Sequence, residues 1–276
     1  MKSVLRKLMR NPSAVIGLAI VLVFLFTAVF APFLAPHEYT RQQILRRLQP
    51  PSEDFLLGTD ELGRDILSRI IFGTRVSLQV GLISVSIAAF FGTILGLAAG
   101  YNSRADNVIM RFMDILLAFP GILLAMAVVA ALGPGLYNVM IAVGIWAIPI
   151  YARVTRGSVL SVKEKEYVEA SRAVGCGEFR IVFRHILPNI AGPLVVLSTM
   201  RIATSILSAA GLSFLGLGAQ PPIADWGAML SAGRQYVREA PWVAIWPGVA
   251  ISLTVLGFNL FGEALREALD PQAHKR

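Results

Sequence analysis

The apolar residues of this chain fall in long blocks, not at the alternating spacing of a half-buried strand. Six blocks approach the roughly 17–25 apolar residues that a helix needs to cross a bilayer: residues 14–34, 76–99, 115–132, 137–152, 190–210 and 243–261. The fourth is short for a span. Between the fourth and fifth the pattern turns polar over residues 153–189, where a helix is expected from about 162 to 174. On it, Tyr167, Ala170, Ser171 and Val174 share one stripe. Lys165 with Glu169 and Glu169 with Arg172 stand at spacings that can pair on a helix surface. Gly175-Cys-Gly177 is expected to end this helix, because glycine readily takes the left-handed conformation past a helix C-terminus. A second short helix is expected over 178–186, with Pro188 stopping it and Asn189 capping the fifth span.

The first block follows Lys2, Arg6, Lys7 and Arg10, like the basic start of a signal peptide. Its apolar run is too long for one and no small-x-small cleavage site follows, so it reads as a retained signal anchor. Counting Lys and Arg with the N-terminus inside places 16 of them in inside segments and 8 in outside loops, with Arg201 left within a span. By the positive-inside rule both termini are cytoplasmic. Gly92, Gly96 and Gly100 recur about one helical turn apart, a groove for close helix contact. Pro120, Pro149 and Pro193 fall where they can bend spans.

Composition agrees: 55% of the 276 residues are hydrophobic, 15% are charged and the mean hydropathy is +0.66, against about 25% charged in soluble domains. The net charge of +8 is spread through the inside loops rather than gathered on a soluble face, so a nucleic-acid partner is not expected. Membrane lipid is the expected surrounding. Single Cys176 excludes an intrachain disulfide. His37, His185 and His274 are far apart in sequence, which speaks against a metal site. No phosphate-binding G-x-x-x-x-G-K-[ST] motif occurs, so the chain is not an ATPase by that route, and no catalytic residue is assigned. The two halves show no convincing repeat, which argues against an inverted-repeat carrier.

From residues alone, the stripe over 167–174 fits either a partner groove or a solvated hairpin. The run Glu169-Ala-Ser-Arg-Ala-Val-Gly175 with Leu187-Pro188 resembles the E-A-A-x-x-x-G…I-x-L-P signature of bacterial ABC importer permeases. Ser171 replaces the second alanine and His185 stands where isoleucine is commoner. Leu57-Gly-Thr-Asp-Glu-Leu-Gly-Arg-Asp-Ile-Leu-Ser-Arg69, Leu212-Ser-Phe-Leu-Gly-Leu-Gly218, Asp225-Trp-Gly-Ala-Met-Leu230, Phe258-Asn-Leu-Phe-Gly-Glu263 and Leu269-Asp-Pro271 resemble the second permease subunit of dipeptide, oligopeptide and nickel importers. One departure is Ser208-Ala-Ala-Gly211, where many relatives carry an acidic residue.

The resemblance implies an all-α integral membrane protein of the bacterial inner membrane, with six transmembrane helices and the type I ABC importer permease architecture. Residues 1–72 would hold the N-terminal tail, first span and extracytoplasmic segment, 73–265 the permease domain and 266–276 a cytoplasmic tail. It implies a cytoplasmic coupling helix, with Tyr167, Glu169, Ala170, Ser171, Gly175, Gly177, Leu187 and Pro188 as the residues meeting an ATPase. Implied partners are a homologous permease, two ATP-binding subunits that hold ATP and Mg, and an extracytoplasmic substrate-binding protein. No cofactor is implied in this chain. Peptides lead as substrate, with nickel chelates, opines and glutathione open. An autonomous channel or secondary carrier, or a membrane scaffold, is the alternative of a different class.

Two further features stand apart from the arm. Asp60/Arg64 and Asp65/Arg69 are at i,i+4 and predict a surface helix start laced with ion pairs. Arg201 lies too deep in the fifth span to snorkel. It is the candidate for the translocation path, with a structural ion pair or hydrogen bond as the alternative.

Overall fold

Residues 8–269 are described by the computed structural model. Among them the chain is helical apart from loops and one isolated antiparallel bridge, Thr59 to Asp65. Lys2, Arg6, Lys7, Asp270-Pro271 and His274 lie outside the described residues.

Helix α1 (Pro12–Leu34) starts on Asn11, whose side-chain oxygen accepts from the Ser13 amide, with Pro12 in the first turn. Helix α2 (Ile66–Tyr101) is capped by Asp65, which accepts from the amide of Ser68. It begins ten residues before its apolar block. Its 36 residues make about 54 Å, longer than a ~30 Å hydrocarbon core, so its first turns stand in the extracytoplasmic layer.

The block at 115–132 is not one straight span. It is divided between α3 (Ser103–Ala118) and α4 (Gly121–Leu132), which meet at a 94° bend. The cause is local: Pro120 biases the residue before it toward extended backbone, and Phe119 has φ −86°, ψ 137°. The fourth block, short by apolar count, is part of the 28-residue α5 (Leu136–Lys163). Hydropathy stops at Arg153 because charges begin, but the helix runs on. Arg153 bonds Asp114 at 2.7 Å and Arg156 bonds Asp106 at 2.6 Å, both on α3.

Helix α6 (Glu166–Ala173) and α7 (Glu178–Ile181) form the polar arm. A π turn, Val182–Ile186, joins α7 to α8 (Leu187–Phe214); α9 (Trp226–Gly233) and α10 (Trp242–Leu269) complete the chain. Among the described residues five helices are long and apolar enough to cross a membrane, and the bent α3–α4 pair, counted as one span, makes six.

The glycine groove does what its spacing predicts. A methyl on Gly92, Gly96 or Gly100 would fall closer than 3.0 Å to α5 atoms of Tyr151, Ala152 and Val159 in turn. The Ser84 hydroxyl adds a bond to the Met140 carbonyl at 2.9 Å. Residue numbers rise together along both helices, so α2 and α5 run parallel. The chain between them, 102–135, must therefore recross the same thickness, and only α3 and α4 are there to do it. Two other crossings close the bundle: Gly17 against Gly257 between α1 and α10, and a cluster of Val21, Ala203, Ile206 and Phe258 from α1, α8 and α10.

Candidate functional site: the cytoplasmic arm

The arm is built on one apolar cluster. Val168 of α6, Ile181 of α7 and Ile186 of the π turn are fully buried together with Val159 of α5 and Ile190 of α8. Leu97 and Tyr101 of α2 pack on the same cluster, and the Lys163 ammonium donates to the Gly100 carbonyl at 3.1 Å. The ends of three spanning helices thus share a core with the arm.

Helix α6 is shorter than the 162–174 expectation, because the chain breaks at Glu164 and Lys165 after α5. Glu166 and Glu169 occupy its first turn, where carboxylates favour the helix dipole. Its C-terminus is a Schellman motif: the Cys176 amide bonds Ser171 O at 3.0 Å and the Gly175 amide bonds Arg172 O at 2.9 Å, with Gly175 at φ +80°. Gly177 is not a second stop but the residue preceding α7, with ordinary φ of −64°. Neither Lys165–Glu169 nor Glu169–Arg172 closes as an ion pair among the described residues; the Arg172 guanidinium instead sits 5.8 Å from the centroid of the Tyr101 ring.

Pro188 does not end the helix, and Asn189 does not cap the next one. The helix widens to a π turn, in which the Leu187 amide reaches back to Val182 O. Proline lacks an N–H and its ring crowds the carbonyl four residues back; a π turn just upstream relieves both problems without breaking the helix. The Asn189 side chain donates to His185 O at 2.6 Å, serving a carbonyl within this loosened turn.

Of the residues singled out from sequence, Tyr167, Glu169, Ala170, Gly175, Gly177 and Pro188 lie exposed, Ser171 is half-buried with its hydroxyl on Tyr167 O, and Leu187 joins the cluster beneath. Sequence reasoning missed Phe179 and Phe183. Their rings pack tilted, with 4.3 Å between centroids, and the two residues are 76% and 50% exposed. Two phenylalanines at i,i+4 among charges were the available signal. With Tyr167 and Val174, also exposed, they give a polar segment an outward apolar surface.

Residues 88–275 match the model of the binding-protein-dependent transport system inner membrane component family. The chain belongs to that family. Residues 1–51 also match the N-terminal TM domain of oligopeptide transport permease C. The dipeptide transport system permease protein DppC of Alkalihalophilus pseudofirmus is 49% identical over 97% of this chain and 88% of its own length. The glutathione transport system permease protein GsiD of Pectobacterium atrosepticum is 50% identical over 97% and 89%. A chain of the inward facing MetNI methionine ABC transporter superposes with a TM-score of 0.58 at 21% identity, covering 74% of this chain and 98% of that one; this is a likeness of fold. The chain is a multi-pass inner-membrane protein of the all-α permease fold.

Two other features of this inner-membrane component sit away from the arm. Arg201 is half-buried on α8, 14 residues or about 21 Å beyond Leu187. It has no ion-pair partner among the described residues. Tyr151 and Ser198, one turn away, bond each other at 3.0 Å. An open cavity of about 680 Å³ between α5, α8 and the end of α10 is lined by Val154, Pro193, Val196, Met200 and Arg266, among others.

On the extracytoplasmic side, the segment at 60–65 is a buried knot rather than a surface helix. Arg64 and Asp60, 7% and 3% exposed, pair at 2.6 Å. Gly58 and Gly63 turn the loop at positive φ. Arg69 lies 3.5 Å from Asp60 rather than pairing with Asp65, whose Oδ2 accepts from the amide and hydroxyl of Ser68.

Proposed function

We propose that this chain is one permease subunit of an ATP-driven peptide importer, supplying half of the translocation path and one arm that couples it to a cytoplasmic ATPase. The observation that carries the reading is the arm itself: an exposed face of Tyr167, Val174, Phe179 and Phe183 on a core shared with α2, α5 and α8. Such a face suits a groove on a soluble partner. Glu169, Ala170 and Ser171 lie on the same short helix, with Gly175 and Gly177 freeing the turn beyond.

In this reading a homologous permease completes the path. Two ATP-binding subunits hold ATP and Mg below, and a substrate-binding protein delivers cargo above. ATP closes the partner subunits and drives the arm, which rocks the spans between outward and inward access. The chain itself contributes no catalytic residue. Peptides are favoured because curated relatives near half identity are named as di- and tripeptide permeases. A glutathione permease of equal identity keeps glutathione as the first alternative, with nickel chelates and opines behind. Arg201 is proposed to face the path, since an intramembrane cation normally turns toward a bundle interior or water.

The test is Glu169→Lys in the assembled importer. Peptide uptake into proteoliposomes is lost while the chain still inserts and pairs with its permease partner. Normal ATPase association and uptake in that variant would sink the coupling role. An autonomous channel or secondary carrier would instead give flux from the purified chain alone, without ATP.

A further inference from the structure

A second site lies where α3 crosses α5. The Asp106–Arg156 and Asp114–Arg153 pairs fix the crossing angle. Between the two contacts α3 advances eight residues, about 12 Å, while α5 advances only three, about 4.5 Å. Helix α3 therefore crosses α5 obliquely, consistent with its 94° bend from α4. Depth follows from α5. Counting from Leu136 at its outer end, Arg153 is about 26 Å and Arg156 about 30 Å along the helix, which is the thickness of a hydrocarbon core. The crossing sits at the level of the inner headgroups.

The polar side of this crossing opens into a cleft of about 390 Å³ lined by Arg111, Arg153, Arg156, Asp106 and Asp114, with Asn107 and Met110. Each carboxylate already faces an arginine. Arg111 has no ion-pair partner among the described residues, so the cleft keeps an unmatched positive charge. Beside it, Val108, Phe112 and Ile115 are 57–72% exposed and fall on one stripe of α3. A cationic pocket at headgroup depth, next to an apolar stripe, combines the two halves of an amphiphile's recognition.

We propose that this cleft binds an anionic phospholipid of the inner leaflet, with its phosphate held by Arg111 and the neighbouring guanidinium of Arg153, and its acyl chains along Val108, Phe112 and Ile115. The bound lipid would steady the inner end of the broken span.

The experiment uses the assembled importer in nanodiscs of phosphatidylcholine with graded phosphatidylglycerol, and native mass spectrometry to count retained lipids. Arg111→Gln lowers phosphatidylglycerol retention about fivefold, the factor expected for one surface basic residue. Asp114→Asn raises it, because it frees Arg153. These opposite signs separate binding from general damage, and assembly by size-exclusion chromatography is unchanged in both. Equal retention in wild type and Arg111→Gln overturns the proposal. So does displacement by millimolar inorganic phosphate, which would mark a site for free anions. A photo-crosslinker at position 111 gives a lipid adduct; an adduct with another subunit would mean that protein, not lipid, covers the cleft.

Discussion

Truncating Phe179 tests whether the arm's aromatic face is an interface. A phenylalanine side chain offers roughly 200 Å², and Phe179 is 76% exposed, leaving about 150 Å² for a partner to cover. At ~25 cal/mol/Å² this sets a ceiling near 4 kcal/mol. Alanine retains the β-carbon, and association recovers only part of the area term, so Phe179→Ala should weaken ATPase binding by about 1.5–3 kcal/mol, about 10- to 100-fold in Kd. The measurement is titration of the ATP-binding subunits onto the permease pair in nanodiscs. Phe26→Ala is the control. It removes another aromatic, 55% exposed and paired with Phe30, from a helix that faces lipid, and should leave the Kd unchanged. A Phe179→Ala complex that assembles within twofold of wild type would refute the docking face, whatever happens to uptake.

Two further substitutions probe the scaffold. Gly96→Val forces its side chain into the Ala152 carbonyl and Thr155 of α5, and should cost about 2–3 kcal/mol, seen as a lower unfolding midpoint in detergent. Gly157→Ala meets nothing within 4 Å and should be neutral or slightly stabilising. Asp225, outside the spans, has its carboxyl pushed above its ordinary range by burial, partly offset by the Ala228 amide. A carboxyl whose folded pKa is raised contributes stability that is present at low pH and lost as pH rises through that pKa. Asp225→Asn keeps an oxygen for the cap, so it should raise the unfolding midpoint at neutral pH and give no gain once Asp225 is protonated. An equal gain at every pH would show that charge is not the cause.

Features set by a few adjacent residues were readable in advance. The Gly92–Gly96–Gly100 period names the face of α2 that meets α5, because nothing but close approach needs it. Gly175 likewise marks the end of α6, since a left-handed residue there completes the Schellman bonds. What failed did so through longer-range competition. Pro188 looks like a stop, yet a π turn beneath it accommodates the ring at less cost than leaving Ile186 and Ile190 unburied. Asp65 and Arg69 are correctly spaced to pair, yet Asp65 turns back to cap α2 through Ser68 while Arg69 is drawn to Asp60 and the Tyr39 carbonyl. Hydropathy averages over 115–132 and does not register the right-angle bend, though Pro120 marks where that span can bend. Within the arm, small residues and glycines flagged the segment, whereas Phe179 and Phe183 became visible only once the buried side of the arm was occupied by Val168 and Ile181. The sense of each aromatic depends on what the other face already holds.

The bend at Phe119-Pro120 yields a geometric prediction. From Ser103 to Leu132 a continuous helix would span about 44 Å. With legs of about 24 Å and 18 Å meeting at a 94° bend, the same ends lie about 29 Å apart. Pro120 forbids the straight form by about 3 kcal/mol, through its missing N–H and its clash with the preceding turn. Pro120→Ala removes that penalty and shifts the balance toward the straight helix by about 100-fold. Opposing it are the Asp106–Arg156 and Asp114–Arg153 pairs and the seat of Gly121 against the Trp146 indole. Both ion pairs are partly exposed, and such pairs contribute at most about 1 kcal/mol each, so the proline is the larger single restraint. Spin labels at positions 103 and 132, in a Cys176→Ser background, should report a distance near 29 Å in the parent. Pro120→Ala should add a second population near 44 Å, growing when Asp106→Asn and Asp114→Asn release the crossing. A single short distance in all variants would mean that packing around Trp146, not proline, makes the bend.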